Sequence, residues 1–383
     1  MVTVGTIKEI KDNENRVGVT PAGASKLTSM GVRVVVQATA GTGSSFTDDD
    51  YREAGAEILA TAEDVVKACD ILVKVKEPIP SEYHLLELLN GKTLYTYLHL
   101  SGVPKSLTDK LLEQNVTGIA YETITDEKGG LPCLAPMSEV AGVLAVQYGA
   151  QYLQKKYNGR GMTLGSIKNA DSPHTVIVGG GVVGTKSAKV AAGMGGKVTI
   201  FDINPARVEE LKQELKAYLG EHLFGNVNVA VSTPESFAEA VKSADVLIGA
   251  VLVVGAKSPM VVSEEHVKSM KPGSVIVDVA IDQGGCIWGA KATSHSEPTY
   301  ELEGKIYCCV ANMPGQASRQ STQALTSTTL PFLLEMCEKG VEDALKGNQY
   351  FAMGLNTHKG KITYKSVAED WNMTDVYADF ANM

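Results

Sequence analysis

The sequence predicts an α/β protein of two doubly wound domains, the second inserted into a discontinuous first. Three observations predict it. Short apolar runs alternate with helical patterns from the N-terminus; a second such series begins after a polar, glycine-bearing stretch, Tyr157 to Pro173; and the tail from Met313 to Met383 is too small for a core of its own. At 383 residues the chain exceeds one ordinary core and is long enough for two.

In the first series, Val2 to Ile10, Val32 to Gln37, Ile71 to Val75, Thr93 to Leu100 and Thr117 to Glu122 read as strands. Between them Ala22 to Met30, Ala62 to Cys69, Ser81 to Leu89 and Ser106 to Gln114 read as helices. Alternation of this kind builds a parallel sheet covered on both faces. Ser138 to Leu153, with Pro136 just ahead, reads as a long helix bridging to the next domain. There Thr175 to Val178, Lys197 to Phe201, Val227 to Val231, Val246 to Val251, Ser274 to Val279 and Ile306 to Val310 read as strands, and Thr322 to Glu338 as a helix of the tail. The expected division is residues 1–137 with 306–383 for the first domain and 138–305 for the second.

Composition narrows the function. Hydrophobic residues at 44% and charged residues at 21% are those of a soluble globular protein. A formal net charge of -9 argues against nucleic-acid and anionic-membrane partners, which call for clustered Lys and Arg, and for a small-molecule ligand. No stretch approaches the roughly 20 apolar residues that cross a bilayer. The start, Met1-Val-Thr-Val-Gly-Thr-Ile, lacks a basic signal-peptide head, so a cytoplasmic location is expected. Six cysteines without a C-x-x-C pair indicate neither a zinc site nor a disulfide framework, and no metal is expected.

The segment Thr175-Val-Ile-Val-Gly179-Gly-Gly181-Val-Val-Gly184 carries the clearest chemistry. An apolar strand runs into Gly-x-Gly-x-x-Gly at the head of a helix, and Asp202 closes the next strand about 20 residues on, as the Rossmann-type dinucleotide fingerprint requires. Gly179 allows the tight turn, Gly181 lets backbone approach a pyrophosphate, and Gly184 lets helix and strand pack. The helix N-terminus offers unpaired N–H groups to the phosphates. Asp202 takes the ribose hydroxyls and repels an extra phosphate, which argues for NAD over NADP. Arg207 reads two ways, as acceptor of a 2′-phosphate or as a solvated helix charge.

Four places outside the fingerprint suit a substrate. Arg16 sits in a polar loop after the first strand, either clamping a carboxylate with two parallel hydrogen bonds or standing as a surface charge. Lys76 ends Ile71-Leu-Val-Lys-Val-Lys76, where alternation puts Lys74 on the same face and ligands collect at strand carboxyl ends, so Lys76 is favoured. Both lysines also read as ordinary exposed charges. His99 ends Leu94-Tyr-Thr-Tyr-Leu-His99 and reads equally as an acid/base or a hydrogen-bonded core histidine. In Val275-Ile-Val-Asp278-Val-Ala-Ile-Asp282-Gln-Gly-Gly, Asp282 beside the glycines is better placed than Asp278 to face a cleft, a turn-capping role being the alternative.

Taken together, Arg16-Val-Gly-Val-Thr-Pro21, Lys74-Val-Lys76-Glu-Pro78, Leu98-His99-Leu100, Ala135-Pro-Met-Ser138-Glu-Val-Ala-Gly142, the Gly179 fingerprint, Gly249-Ala-Val-Leu-Val, Ala280-Ile-Asp282-Gln-Gly-Gly-Cys286 and Val310-Ala-Asn312-Met-Pro314 closely resemble the L-alanine dehydrogenases. That family also contains the nucleotide-binding subunit of pyridine nucleotide transhydrogenase. The resemblance spans nearly the whole chain and implies two Rossmann-like domains, the NAD-binding one inserted into the substrate domain. It implies that NAD takes a hydride from L-alanine, giving pyruvate and ammonia through an imine. It implies that Arg16 and Lys76 bind the substrate carboxylate or carbonyl oxygen and that His99 and Asp282 are the catalytic pair. The implied cofactor contacts are Ser138, Val182, Val183, Asp202, Ser232, Val251 and Leu252. Val279, Ala280, Ile281 and Asp282, together with Val310, Ala311, Asn312 and Met313, extend the set, and Arg207 and Lys291 stand where the family has a basic contact. A homohexamer is the implied assembly. Two other readings stand beside it: a nucleotide-binding module passing hydride to a partner, which has no need of an acid/base at His99, and a 2-hydroxyacid dehydrogenase of similar architecture.

Overall fold

The computed structural model describes residues 2–251 and 258–383, which group into two units, Met1–Met137 with Gly315–Met383, and Ser138–Pro314. In the first, β1 (Thr3–Thr6), β2 (Arg33–Gln37), β3 (Glu57–Leu59), β4 (Ile71–Val73), β5 (Thr93–Thr96) and β6 (Thr117–Ala120) form parallel ladders in the order β3-β2-β1-β4-β5-β6. Strands β1, β4, β5 and β6 are buried along their whole length, as strands with helices on both faces must be. Strand order reverses at β1, which pairs with β2 on one side and β4 on the other. Ligands of such sheets bind outside the carboxyl ends of the strands at this reversal. One core beneath the sheet joins Leu72, Leu94 and Ala120 to the helical Leu86 and Leu111.

The second unit repeats the plan. Strands β7 (His174–Val178), β8 (Lys197–Asp202), β9 (Val227–Val231), β10 (Val246–Gly249), β11 (Val275–Asp278), β12 (Thr299–Leu302) and β13 (Lys305–Cys308) lie in the order β9-β8-β7-β10-β11-β13-β12, reversing between β7 and β10. All pairs are parallel except β12 with β13, a hairpin turned by Glu303 and Gly304 at φ 52° and 68°. The boundary expected at 305/306 falls instead at 314/315, because β13 pairs Ile306 with Val275 and Cys308 with Val277 and so belongs to this sheet. The chain enters the unit inside the helix Ala135–Tyr152, which starts before Pro136 rather than after it.

The tail returns to the first unit. Its helix Ser318–Lys339 is tied there by Ser318 Oγ donating to Gly43 O at 2.6 Å and Arg319 Nη1 to Ser45 O at 2.9 Å. Strand β14 (Leu355–His358) then pairs antiparallel with β6, and β15 (Lys361–Ile362) with β14. Among the described residues no helix is long and apolar enough to cross a membrane. All six cysteines are free, five of them buried.

Candidate active site

Two of the expected residues, Lys76 and His99, stand about one tyrosine of the first unit, and the charge of a third, Arg16, acts on it. Tyr97, one residue past β5, is 2% exposed and donates its hydroxyl to Cys133 O at 2.7 Å, which fixes the ring. The His99 ring stacks on it with centroids 5.5 Å apart and planes 2° from parallel. Lys76 Nζ lies 6.0 Å from its centroid. Burial raises the Tyr97 phenol well above its ordinary value, against the opposing charge of nearby Arg16. Arg16 follows β1, Lys76 follows β4 and His99 follows β5, so all three stand at carboxyl ends around the strand reversal.

Arg16 is not a surface charge: it is 2% exposed. Its Nε donates to Glu14 Oε1 at 2.7 Å, its Nη2 donates to Glu14 Oε2, and its Nη1 donates to Met137 Sδ at 3.0 Å. The two parallel bonds expected for a ligand thus go to Glu14 along the Nε–Nη2 edge, and the Nη1–Nη2 edge is directed away from that carboxylate. A cavity of about 220 Å³ opens beside Arg16, lined also by Lys8, Glu9, Asn15, Thr39 and Thr42, and its lining includes neither Lys76 nor His99.

Lys74 and Lys76 are both buried, so neither is an ordinary exposed charge. Strand β4 stops at Val73, and the two lysines take different tasks. Lys74 Nζ donates to Glu9 Oε2 at 2.9 Å and Glu82 Oε1 at 2.8 Å. Glu9 Oε1 accepts the backbone N–H groups of Val75 at 2.6 Å and Lys76 at 3.3 Å, and Glu82 Oε2 accepts that of Ile79 at 3.0 Å. Burial opposes the charge on Lys74, but Glu9 and Glu82 outweigh it and raise its pKa. This buried ion triplet sets the turn that presents Lys76.

His99 has φ 47°, the left-handed region that non-glycine residues rarely occupy. Glu122 holds it there: its Oε1 accepts His99 N at 2.6 Å and Leu98 N at 3.2 Å, and lies 3.7 Å from His99 Nδ1. A strained residue kept in place by surrounding bonds is a common feature of catalytic sites.

In the second unit the glycine turn has the shape a dinucleotide needs. Gly179 has φ 103°, and a Cβ there would sit 2.6 Å from Ala250 O. A Cβ on Gly184 would sit 1.9 Å from Gly179 O, so the helix Val182–Gly193 seats directly on the turn. A Cβ on Gly181 would meet nothing within 4 Å, leaving the helix N-terminus open to phosphate. Asp202 ends β8, where Gly180 N donates to its Oδ2 at 2.9 Å and Asn204 N to its Oδ1 at 2.8 Å. Ser232, one residue past β9, donates its N–H to Asp202 O at 2.9 Å. Arg207 is not a solvated charge: its Nε donates to Gly180 O at 2.9 Å and its Nη2 to Thr185 Oγ1 at 3.1 Å, bracing the turn.

The remaining expected contacts occupy the same end of this sheet. Val251 follows β10; Leu252 lies outside the described residues. Asp278 is buried, and its carboxylate accepts the N–H groups of Ala280 at 3.0 Å, Cys286 at 2.8 Å and Ile287 at 3.0 Å, closing the loop at both ends. Val279, Ala280, Ile281 and Asp282 form a short turn within it; Asp282 is exposed, and Asn312 N donates to its Oδ2 at 3.5 Å. Val310 and Met313 are buried on either side of half-buried Ala311 and Asn312. Val182 and Val183 open the helix after the glycine turn, while Ser138 is half-buried in the helix that starts the unit. Lys291 is exposed, its backbone N–H donating to Tyr300 Oη at 2.8 Å. A cavity of about 580 Å³ near His174, Lys197 and Asn226 lies at the amino ends of β7 to β9, away from the fingerprint and from the end where such sheets bind ligands.

Residues 5–141 match the sequence model of the family described as alanine dehydrogenase/PNT, N-terminal domain, and residues 145–365 match its C-terminal domain. The chain belongs to the alanine dehydrogenase/PNT family. Among alanine dehydrogenases, that of Methanococcus maripaludis is 50% identical over 368 residues, 96% of this chain and 95% of the relative. That of Bacillus subtilis is 47% identical over 380 residues, 99% of this chain and 97% of the relative. A solved L-alanine dehydrogenase superposes with a TM-score of 0.90 at 41% identity, over 97% of this chain and 99% of that one. In this member of the family, the sequence reading missed the acids that hold the site: Glu9, Glu14, Glu77 and Glu122. Glu9 and Glu122 lie in predicted strand ends, and that position is the one signal in the sequence that marks them.

Proposed function

We infer that this chain catalyses the NAD-dependent, reversible oxidative deamination of L-alanine to pyruvate and ammonia. The observation that carries the reading is the placement of Lys76 and His99 about Tyr97, on which the charge of Arg16 also acts, in a chain whose other unit has an open glycine turn and an oriented acid for the cofactor. NAD is held by the turn at Gly179, Gly181 and Gly184 and by Asp202, and when bound it accepts the hydride from the amino-acid Cα. Arg16 supplies the charge for the substrate carboxylate through its Nη edge, and Lys76 meets the carbonyl-oxygen side. His99, oriented by Glu122, takes a proton from the water that adds to the substrate imine and returns it to the departing ammonia. Asp282 acts as the second catalytic group, and the segments at 279–282 and 310–313, with Ser138, Ser232, Arg207 and Lys291, form the remainder of the cofactor site.

The reading includes a cytoplasmic homohexamer, supported by family membership and tested by light scattering on the purified protein. The activity is tested by following nicotinamide reduction with L-alanine or L-lactate and with NAD⁺ or NADP⁺. L-alanine with NAD⁺ gives turnover, and lactate does not. Preference for lactate, or none for alanine, overturns the reading.

A further inference from the structure

Glu77 is 4% exposed and comes directly after Lys76. Its Oε1 accepts Lys11 Nζ at 2.6 Å, a bond between the chain that follows β4 and the chain that follows β1. Its Oε2 has no hydrogen bond, and among the described residues it is the one buried carboxylate oxygen in that condition. Every other acid of the cluster is engaged: Glu14 by Arg16, Glu9 and Glu82 by Lys74 and backbone N–H groups, Glu122 by the N–H groups of Leu98 and His99. Glu77 Oε2 stands 3.7 Å from Lys76 Nζ, beyond hydrogen-bond reach. Burial pushes its carboxyl up, but Lys76, His99 and Lys11 outweigh that and hold it at about 2. A buried anion, kept charged beside Lys76 and within the influence of His99, with one oxygen that accepts no hydrogen bond from the protein, is an acceptor for a cation or an amine.

We propose that Glu77 is the group that recognises the substrate nitrogen, its Oε2 accepting a hydrogen bond from the amine of the amino acid and from ammonia in the reverse direction. The inference rests on the function proposed above. Cations alone attract a keto acid, a hydroxy acid and an amino acid alike through the shared carboxylate; an anion beside them is what distinguishes nitrogen. Once the ammonium has lost a proton to give the neutral amine, hydride loss from Cα leaves an iminium with positive charge on that nitrogen, and a fixed carboxylate next to it stabilises the developing charge.

The reverse reaction separates the two ligands, because pyruvate and ammonium are added independently. Glu77→Gln keeps the size of the side chain and an oxygen for Lys11 but removes the charge. A charge-assisted hydrogen bond is worth about 1.5–3 kcal/mol, so the ammonium KM should rise about 10- to 150-fold while the pyruvate KM stays within about threefold. Parallel rises in both constants, or an unchanged ammonium KM, overturn the inference. Should Glu77→Gln fail to fold, Glu77→Asp carries the test with the same two constants: a rise confined to ammonium supports it, and a joint rise or none refutes it. Wild-type protein that fails to oxidise NADH with pyruvate and ammonium overturns the proposed function and this inference together; an active wild type with an unaltered variant overturns this inference alone.

Discussion

Gly181→Ala should abolish most cofactor affinity while leaving the fold intact. Gly181 precedes the helix Val182–Gly193 with φ -72°, which alanine adopts without strain, and the added methyl meets nothing within 4 Å. Stability should therefore hold or rise by about 0.4–1 kcal/mol through the unfolded chain. The same empty space is where backbone must approach the pyrophosphate, and displacing a phosphate from one charge-assisted N–H bond removes about 1.5–3 kcal/mol, or roughly 10- to 150-fold in affinity. Gly184→Ala is the contrasting case: its Cβ would lie 1.9 Å from Gly179 O, so helix and turn must separate, at about 1–3 kcal/mol of stability. NADH fluorescence titration gives Kd for each, and thermal unfolding with and without NADH gives stability. A Gly181→Ala protein that binds NADH with unchanged Kd, or that melts as early as Gly184→Ala, would refute this account of the turn.

Three further outcomes are expected. Lys74→Met leaves Glu9 and Glu82 buried without their shared cation; breaking such a set costs about 3–5 kcal/mol, and at roughly 2–4 °C per kcal/mol in a unit of this size the melting point should fall by about 6–20 °C. A fall of under about 2 °C would show that the triplet is dispensable. Asp202→Ala should narrow the preference for NAD⁺ over NADP⁺ and also weaken NAD⁺ itself, since Gly180 N and Asn204 N lose their acceptor; kcat/KM for the two cofactors measures both, and an unchanged ratio would remove Asp202 from cofactor choice. Glu77 titrates in the folded protein at about 2, below its ordinary 4.5, so its contribution to stability is present above pH 4.5 and fades as pH falls towards 2. Urea midpoints should decline over that interval more steeply in wild type than in Glu77→Gln, and superimposable curves would contradict the shift.

Periodicity and turn residues made the parallel strands legible, because a strand buried on both faces is an unbroken β-branched run such as Ile71-Leu-Val or Thr175-Val-Ile-Val. Shorter pieces escaped. Strand β3 spans three residues, and β14 with the two-residue edge strand β15 joins the sheet by antiparallel pairing with β6 that depends on where the tail returns. The strand-end rule pointed to Arg16, Lys76 and His99 because cations and histidine are conspicuous there, and the glycine pair set Asp282, which is exposed, apart from Asp278, which is buried. Lys74 and Lys76 lie beyond the end of β4 at Val73 and take different partners, Lys74 the acids Glu9 and Glu82 and Lys76 the Tyr97 ring. The supporting acids were hidden for a different reason. Each acts on a group that no pattern marks, a backbone N–H in the case of Glu9 and Glu122 and a guanidinium two residues away for Glu14.

Those acids bear on which substrate the site admits. Among the described residues Lys11, Arg16, Lys74 and Lys76 face Glu9, Glu14, Glu77, Glu82 and Glu122, so the cluster does not carry a surplus of positive charge. A bare anion entering it must displace existing ion pairs or remain partly unpaired in a buried setting, which costs several kcal/mol. An L-alanine zwitterion adds no net charge if, as proposed above, its carboxylate goes to Arg16 and Lys76 and its nitrogen to Glu77; pyruvate and ammonium together add none either. Lactate brings the carboxylate with nothing to offset it and leaves Glu77 Oε2 facing a hydroxyl. The discrimination between an amino acid and its hydroxy analogue then arises from charge balance within the pocket rather than from its shape, and because these charges are buried it should persist at high ionic strength.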